Sequence, residues 1–186
     1  MFRVAVGWWA LAFFLALGVG MAQEGLDPRT VGDGLGSLPL GQGPDSETYP
    51  ELPHLMRVSD RILSGGEPKT EAAFETLAAL GVQVIISVDG ARPRVATAKW
   101  HGLRYVHVPI GYDGVSRAAG LTLARAMREL EGPFYIHCHH GKHRGPAAAA
   151  IASVADGGDP GDAALEILER AGTNVGYAGL WRDVSA

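Results

Sequence analysis

The chain of 186 residues has a single cysteine, Cys138. An intrachain disulfide is therefore excluded, and the thiol is either a small buried side chain or a reactive group. An excess of positive charge is also missing. Lys and Arg number 16 against 20 Asp and Glu, a formal net charge of −4, which gives no reason to expect a nucleic-acid partner. No internal repeat divides the chain, and its length suits one domain with a proper core.

What is present begins with the run "MFRVAVGWWALAFFLALGVGMAQEG". One basic residue, Arg3, precedes an apolar stretch over residues 4–19, and small residues follow around Gly20 and Ala22. That is the layout of a secretory signal peptide, here residues 1–22 with cleavage after Ala22. The expectation is an exported protein, periplasmic or secreted, with no stable membrane insertion after cleavage. The alternative is an uncleaved anchor, since the run lies near the short end of a span of about 17–25 residues. Residues 23–53 are dense in Gly, Pro and acidic side chains without helical or strand periodicity, and read as a flexible lead-in.

From residue 54 to 186, strands and helices alternate. "RILSGG" reads as a short strand, and "PKTEAAFETLAALG" as a helix with Phe74, Leu77 and Ala78 on one face and Gly81 as its stop. "VQVIISVDG" is a β-branched run suited to a strand covered on both faces. "ARPRVATAKWHG" follows as a short helix and "LRYVHVPIG" as another strand. "SRAAGLTLARAMRELEG" is a helix capped by Ser116, with Leu123, Met127 and Leu130 on one face. "PFYIH" is a buried strand and "PAAAAIASVADGG" the helix after it. "DPGDAALEILERAG" is the last helix, with Asp159 as cap and Pro160 at its first position. The alternation predicts a single α/β domain with a mainly parallel central sheet flanked by helices.

Ligands of such folds gather at the carboxyl ends of the strands, and Cys138 stands one residue past "FYIH", just before a helix starting near Gly145 and Pro146. A helix N-terminus offers unpaired N–H groups and a partial positive charge, so the connecting loop is a natural anion cradle. Such surroundings favour the thiolate form of a cysteine. Arg144 lies six positions on, where a guanidinium can grip two phosphate oxygens, and Gly141 permits the curl that the loop requires.

"HCHHGKHRG" resembles the signature loop of the cysteine-dependent tyrosine and dual-specificity phosphatase superfamily: His, Cys, two residues, Gly, two residues, Arg. The similarity of layout runs from about residue 57 to 171. It implies a dual-specificity-phosphatase-like domain over residues 54–186, a phosphocysteine intermediate, a phosphorylated substrate, and no metal or other cofactor. By this match Cys138 is the nucleophile and Arg144 the phosphate-binding residue. The backbone of His139, His140, Gly141, Lys142, His143 and Arg144 forms the cradle, and His137 tunes the thiolate from behind. The general acid of the family lies on the loop after the preceding strand, here "IGYDGVS", whose carboxylate is Asp113. Asp89, in "SVDGARP", competes for that role or holds a turn. Lys142 falls where members acting on polyphosphorylated substrates often carry a basic residue. The hydroxyl that usually follows the arginine is absent, because Gly145 occupies its place.

Other readings of the loop stay open at this point. His137, His139, His140 and His143 crowd the thiol and could form a zinc or copper site, although no second cluster completes a tetrahedral set. A rhodanese-like sulfur-transfer loop is usually one residue shorter. Gly145 also leaves room for a catalytically weak phosphate-binding module. His54, His101 and His107 are expected at surface or satisfied core positions, since nothing in their spacing converges.

Overall fold

The computed structural model describes residues 34–45 and 47–186, all within one compact unit. The signal segment expected over residues 1–22 lies outside the described residues. Among the described residues no helix is long and apolar enough to cross a membrane.

Five strands form one sheet: β1 (Met56–Arg57), β2 (Ile62–Gly65), β3 (Val84–Ser87), β4 (Arg104–His107) and β5 (Phe134–His137). Their spatial order is β1-β2-β5-β3-β4, with β1 antiparallel to β2 and every other pair parallel. Six α-helices accompany them: α1 (Glu71–Ala79), α2 (Val95–Trp100), α3 (Arg117–Glu129), α4 (Arg144–Ala155), α5 (Asp162–Arg170) and α6 (Ala178–Ser185). This is the expected single α/β domain.

Side chains alternate across each strand, so the apolar runs feed two cores. Ile62, Val84, Ile86, Phe134 and Ile136 face Leu123 of α3, the alanines of α4, Ala164 of α5 and Leu180 of α6. Leu63, Ile85 and Tyr135 face Phe74 and Leu77 of α1 and Ala98 of α2. β5 is central and fully buried, whereas β4 is an edge strand with exposed ends. Ser116 caps α3 by accepting a hydrogen bond from the Ala119 N–H at 3.2 Å, and Gly81 ends α1 with φ +82°.

Three expectations change. Leu35, Leu38 and Leu52, in the segment expected to be a flexible lead-in, are buried in the second core and pack on the domain. α5 starts at Asp162, not at Asp159 and Pro160, because Gly161 sits at φ +70°, outside right-handed helical space. α5 is also not the last helix: α6 follows, with Leu180 and Val184 buried one turn apart.

Candidate active site

In register, His137 of β5 lies between Gly65 of β2 and Ser87 of β3, so Cys138 leaves the sheet at the middle of its carboxyl edge. The chain then curls through residues 139–143 and enters α4 at Arg144. Cys138 is only 3% exposed. The curl is held by backbone against backbone. Gly141 has φ +78°, and a Cβ there would collide with the Gly65 carbonyl carbon and stand 2.5 Å from the Gly66 nitrogen. A Cβ on Gly65 would in turn meet the Tyr135 hydroxyl at 2.5 Å, and one on Gly66 the Pro53 oxygen at 3.1 Å. The loop therefore rests on a seam of glycines with no side chain between the two turns.

Behind the cysteine, His137 is buried, with its Nε2 2.6 Å from the Tyr105 hydroxyl. Burial pushes the His137 pKa down to about 4, against the opposing pull of Asp89, so the ring is neutral at pH 7. Burial, then Asp89 and Glu67, push the Tyr105 phenol far up, so it keeps its proton. The Tyr105 phenol is thus hydrogen-bonded to Nε2, while the His137 Nδ1 is buried without a partner. Tyr135 stacks on His137 and donates to the Gly66 carbonyl at 2.6 Å, tying the histidine to the glycine seam.

Arg144 opens α4. Its Nη1 donates to the Ile110 carbonyl at 3.4 Å, its guanidinium lies 4.5 Å from the Tyr112 ring centroid, and its Nε is buried without a partner. Tyr112 stacks on Tyr177 at 4.6 Å, and Tyr177 lies 4.7 Å from His143. The segment before α6 braces the far end of the loop: Thr173 Oγ1 donates to the Lys142 carbonyl at 2.7 Å, and the Asn174 N–H donates to His143 Nδ1 at 3.3 Å.

Asp113 is exposed on the loop after β4, the same loop whose Ile110 and Tyr112 hold Arg144. That loop is clamped by α6: Asp183 Oδ2 accepts from the Val115 N–H at 2.7 Å, and Arg182 Nη2 donates to the Asp113 carbonyl at 3.4 Å. Asp89, after β3, is only 2% exposed. Its Oδ1 accepts from the Ala91 N–H at 2.7 Å, the turn-holding contact, while Oδ2 is buried without a partner.

The loop histidines diverge. His137 turns inward to Tyr105, His143 reaches the Asn174 segment, and His139 Nδ1 faces Glu67 Oε2 at 3.1 Å. His140 meets the His139 ring edge-on. Among the described residues no three His, Cys, Asp or Glu side chains are grouped to hold a metal ion.

No family model matches the chain. Its fold is that of a DUF442 protein from Shewanella putrefaciens CN-32, with a TM-score of 0.61 and 20% identity over 76% of this chain and 94% of that one. In sequence it is 31% identical over 137 residues to dual specificity protein phosphatase TpbA of Pseudomonas aeruginosa, covering 72% of this chain and 60% of TpbA. The chain is thus similar in sequence to a dual-specificity phosphatase and shares its fold. The structure of TpbA in complex with phosphotyrosine shares the superfamily fold with this chain at a TM-score of 0.56 and 23% identity, over 70% of this chain and 82% of that one. A beta-lactamase hydrolase-like protein of Xylella fastidiosa is 27% identical over 141 residues, 71% of this chain but 32% of that protein. The chain thus spans less than two thirds of the length of these curated relatives.

Sequence reasoning missed Tyr105, Tyr112, Tyr177 and Asp183, which come from a strand, a loop, the residue before α6 and α6 itself, and which only the fold brings to this end of the sheet. His101 pairs with Glu71 at 2.6 Å and His107 is exposed, as expected. His54 is half-buried, with a backbone hydrogen bond to His140.

Proposed function

We propose that the protein hydrolyses phosphate monoesters through a phosphocysteine intermediate on Cys138. The observation that carries this reading is the buried Cys138 at the carboxyl edge of the sheet, enclosed by a glycine-seamed loop that ends at Arg144 and the start of α4. The sequence relation to TpbA and that protein's complex with phosphotyrosine support it.

A phosphate oxygen set enters the curl of N–H groups from residues 139–144, and the unpartnered Nε of Arg144 supplies a directional donor beside them. Sulfur attacks phosphorus, and the bond to the leaving oxygen breaks. Asp113 gives its proton to that oxygen and then takes one from the water that cleaves the sulfur–phosphorus bond. His137, neutral and hydrogen-bonded to Tyr105, packs behind the sulfur. Asp89 is the weaker candidate for the acid, since its carboxylate is buried and already engaged with Ala91.

Hydrolysis of an aryl phosphate by the parent, Cys138→Ser, Asp113→Asn and Asp89→Asn tests the assignment. Cys138→Ser is expected to abolish turnover with the fold intact, because a neutral hydroxyl is a far poorer nucleophile. Asp113→Asn is expected to slow esters with poor leaving groups by about 10²–10⁴. Residual turnover of Cys138→Ser within tenfold of the parent overturns the nucleophile. The leaving-group signature on Asp89→Asn instead exchanges the two acids.

A further inference from the structure

Charge is unevenly placed along this chain. Between Gly90 and Tyr112 stand four cations, Arg92, Arg94, Lys99 and Arg104, and no carboxylate. Four of the 16 Lys and Arg fall there, leaving 12 against all 20 Asp and Glu elsewhere, so the segment carries +4 and the rest of the chain −8. At its centre lies α2, the helix that leads into the edge strand β4. The inner side of α2 is settled: Ala98 is fully buried, and His101, just past its end, stacks on Phe74 with ring centroids 6.1 Å apart and pairs with Glu71 at 2.6 Å.

The outer side holds Val95, Ala96, Lys99 and Trp100, all exposed. Val95 stands one turn from Lys99 and Ala96 one turn from Trp100, so the four share a face. Trp100 is 86% exposed, more than any other large apolar side chain among the described residues. Arg94 stands at the start of the helix, its carbonyl accepting from the Ala98 N–H at 3.1 Å, and Arg92 is exposed just before it. Arg104 lines a cavity with Glu129 and Glu131 and is left out of this face.

An indole interleaved with cations on one helix face matches the boundary of a lipid layer, where the ring lies at headgroup level and the cations meet lipid phosphates. A protein partner fits less well, because a stable interface takes about 20–30 residues a side, and this face offers six, Arg92, Arg94, Val95, Ala96, Lys99 and Trp100. A second copy fits no better, since two such faces would bring like charges together. We propose that the outer face of α2, with Arg92, Arg94, Lys99 and Trp100, docks the protein on an anionic lipid surface. The acidic remainder of the chain is repelled by the same surface, so the contact selects which side of the molecule approaches. The docking face is independent of the phosphatase reading.

The test is chemical footprinting of Lys99 in the full chain. Its rate of acetylation is read by mass spectrometry with vesicles of phosphatidylcholine alone and of phosphatidylcholine with one third phosphatidylglycerol. The anionic vesicles are expected to slow Lys99 about fivefold or more, the neutral ones to leave it unchanged, and about 0.5 M NaCl to restore the rate. Arg92→Glu together with Arg94→Glu, and separately Trp100→Ser, all at exposed positions, are expected to remove the protection. Equal Lys99 rates on both vesicles overturn the docking face even if the chain sediments with them, because the apolar run over residues 4–19 then accounts for the binding. Protection that survives all three substitutions overturns it too. Protection by polyglutamate and not by vesicles gives the face to an acidic protein and overturns the lipid assignment.

Discussion

Gly145 bears on the second half-reaction of the proposed mechanism. A Cβ built on it would lie 3.5 Å from Cys138 Sγ and 3.1 Å from the Cys138 nitrogen. A hydroxyl on that carbon would therefore reach the sulfur, where related loops use one to assist the departing thiolate, and here there is none. On the proposed mechanism, the missing hydroxyl slows breakdown of phosphocysteine more than its formation. The expected result in rapid quench is a burst of released alcohol followed by a slower steady state. Gly145→Ser is expected to speed the slow phase with little change in the burst, after the Cys138 backbone gives by a few tenths of an ångström. A parent enzyme with no burst sinks this account. The placing of Cys138 after a strand and of Arg144 at the start of a helix was legible in the sequence because it depends on local spacing. His54 and Tyr105 were not, since each reaches the loop across more than thirty residues of sequence and only through the fold.

α6 fixes the loop that carries Asp113. Gly179 passes so close that a Cβ on it would overlap the Asp113 carbonyl, and one on Gly114 would overlap Asp183 Oδ2. Gly179→Ala must displace Asp113, because the obstructing atoms are backbone. A displacement near 1 Å can reduce turnover about 10²-fold. The expected signature is a loss confined to substrates with poor leaving groups, the same pattern as Asp113→Asn. A uniform loss with all leaving groups would mean that α6 supports the cradle and not the acid loop. Strongly periodic elements such as α3, and apolar runs such as β3 and β5, were read correctly because burial on a face or on both faces writes itself into the pattern. α6 escaped because its eight residues offer one buried pair, and β1 because two residues make no pattern at all.

For the molecule as a whole, burying a neutral histidine, His137, behind the loop ties stability to pH. His137 titrates at about 4 when folded and near 6.5 when unfolded. Between these values the unfolded chain binds the proton more readily, so the stabilisation is complete above about pH 6.5 and is lost as pH falls toward about 4. His137 alone accounts for about 3 kcal/mol over that window, and His54 and His143 shift in the same direction. The melting temperature is expected to drop steeply across this range, and His137→Gln is expected to flatten the slope. An unchanged slope would place the acid sensitivity elsewhere. The layered α/β class followed from the alternation of elements. The insertion of β5 between β2 and β3 did not, because buried parallel strands look alike and strand order is decided by long-range packing. The seam formed by Gly65, Gly66 and Gly141 constrains the chain's evolution differently from its core. An enlarged core residue can be offset by shrinking a neighbour, but here the obstructing atoms of Gly141 are the backbone of Gly65 and Gly66, which has nothing to shrink. A saturation library should therefore find second-site suppressors for lesions at Phe74 or Leu123 and none for Gly141→Ala, leaving the floor of the cradle fixed while the core around it drifts.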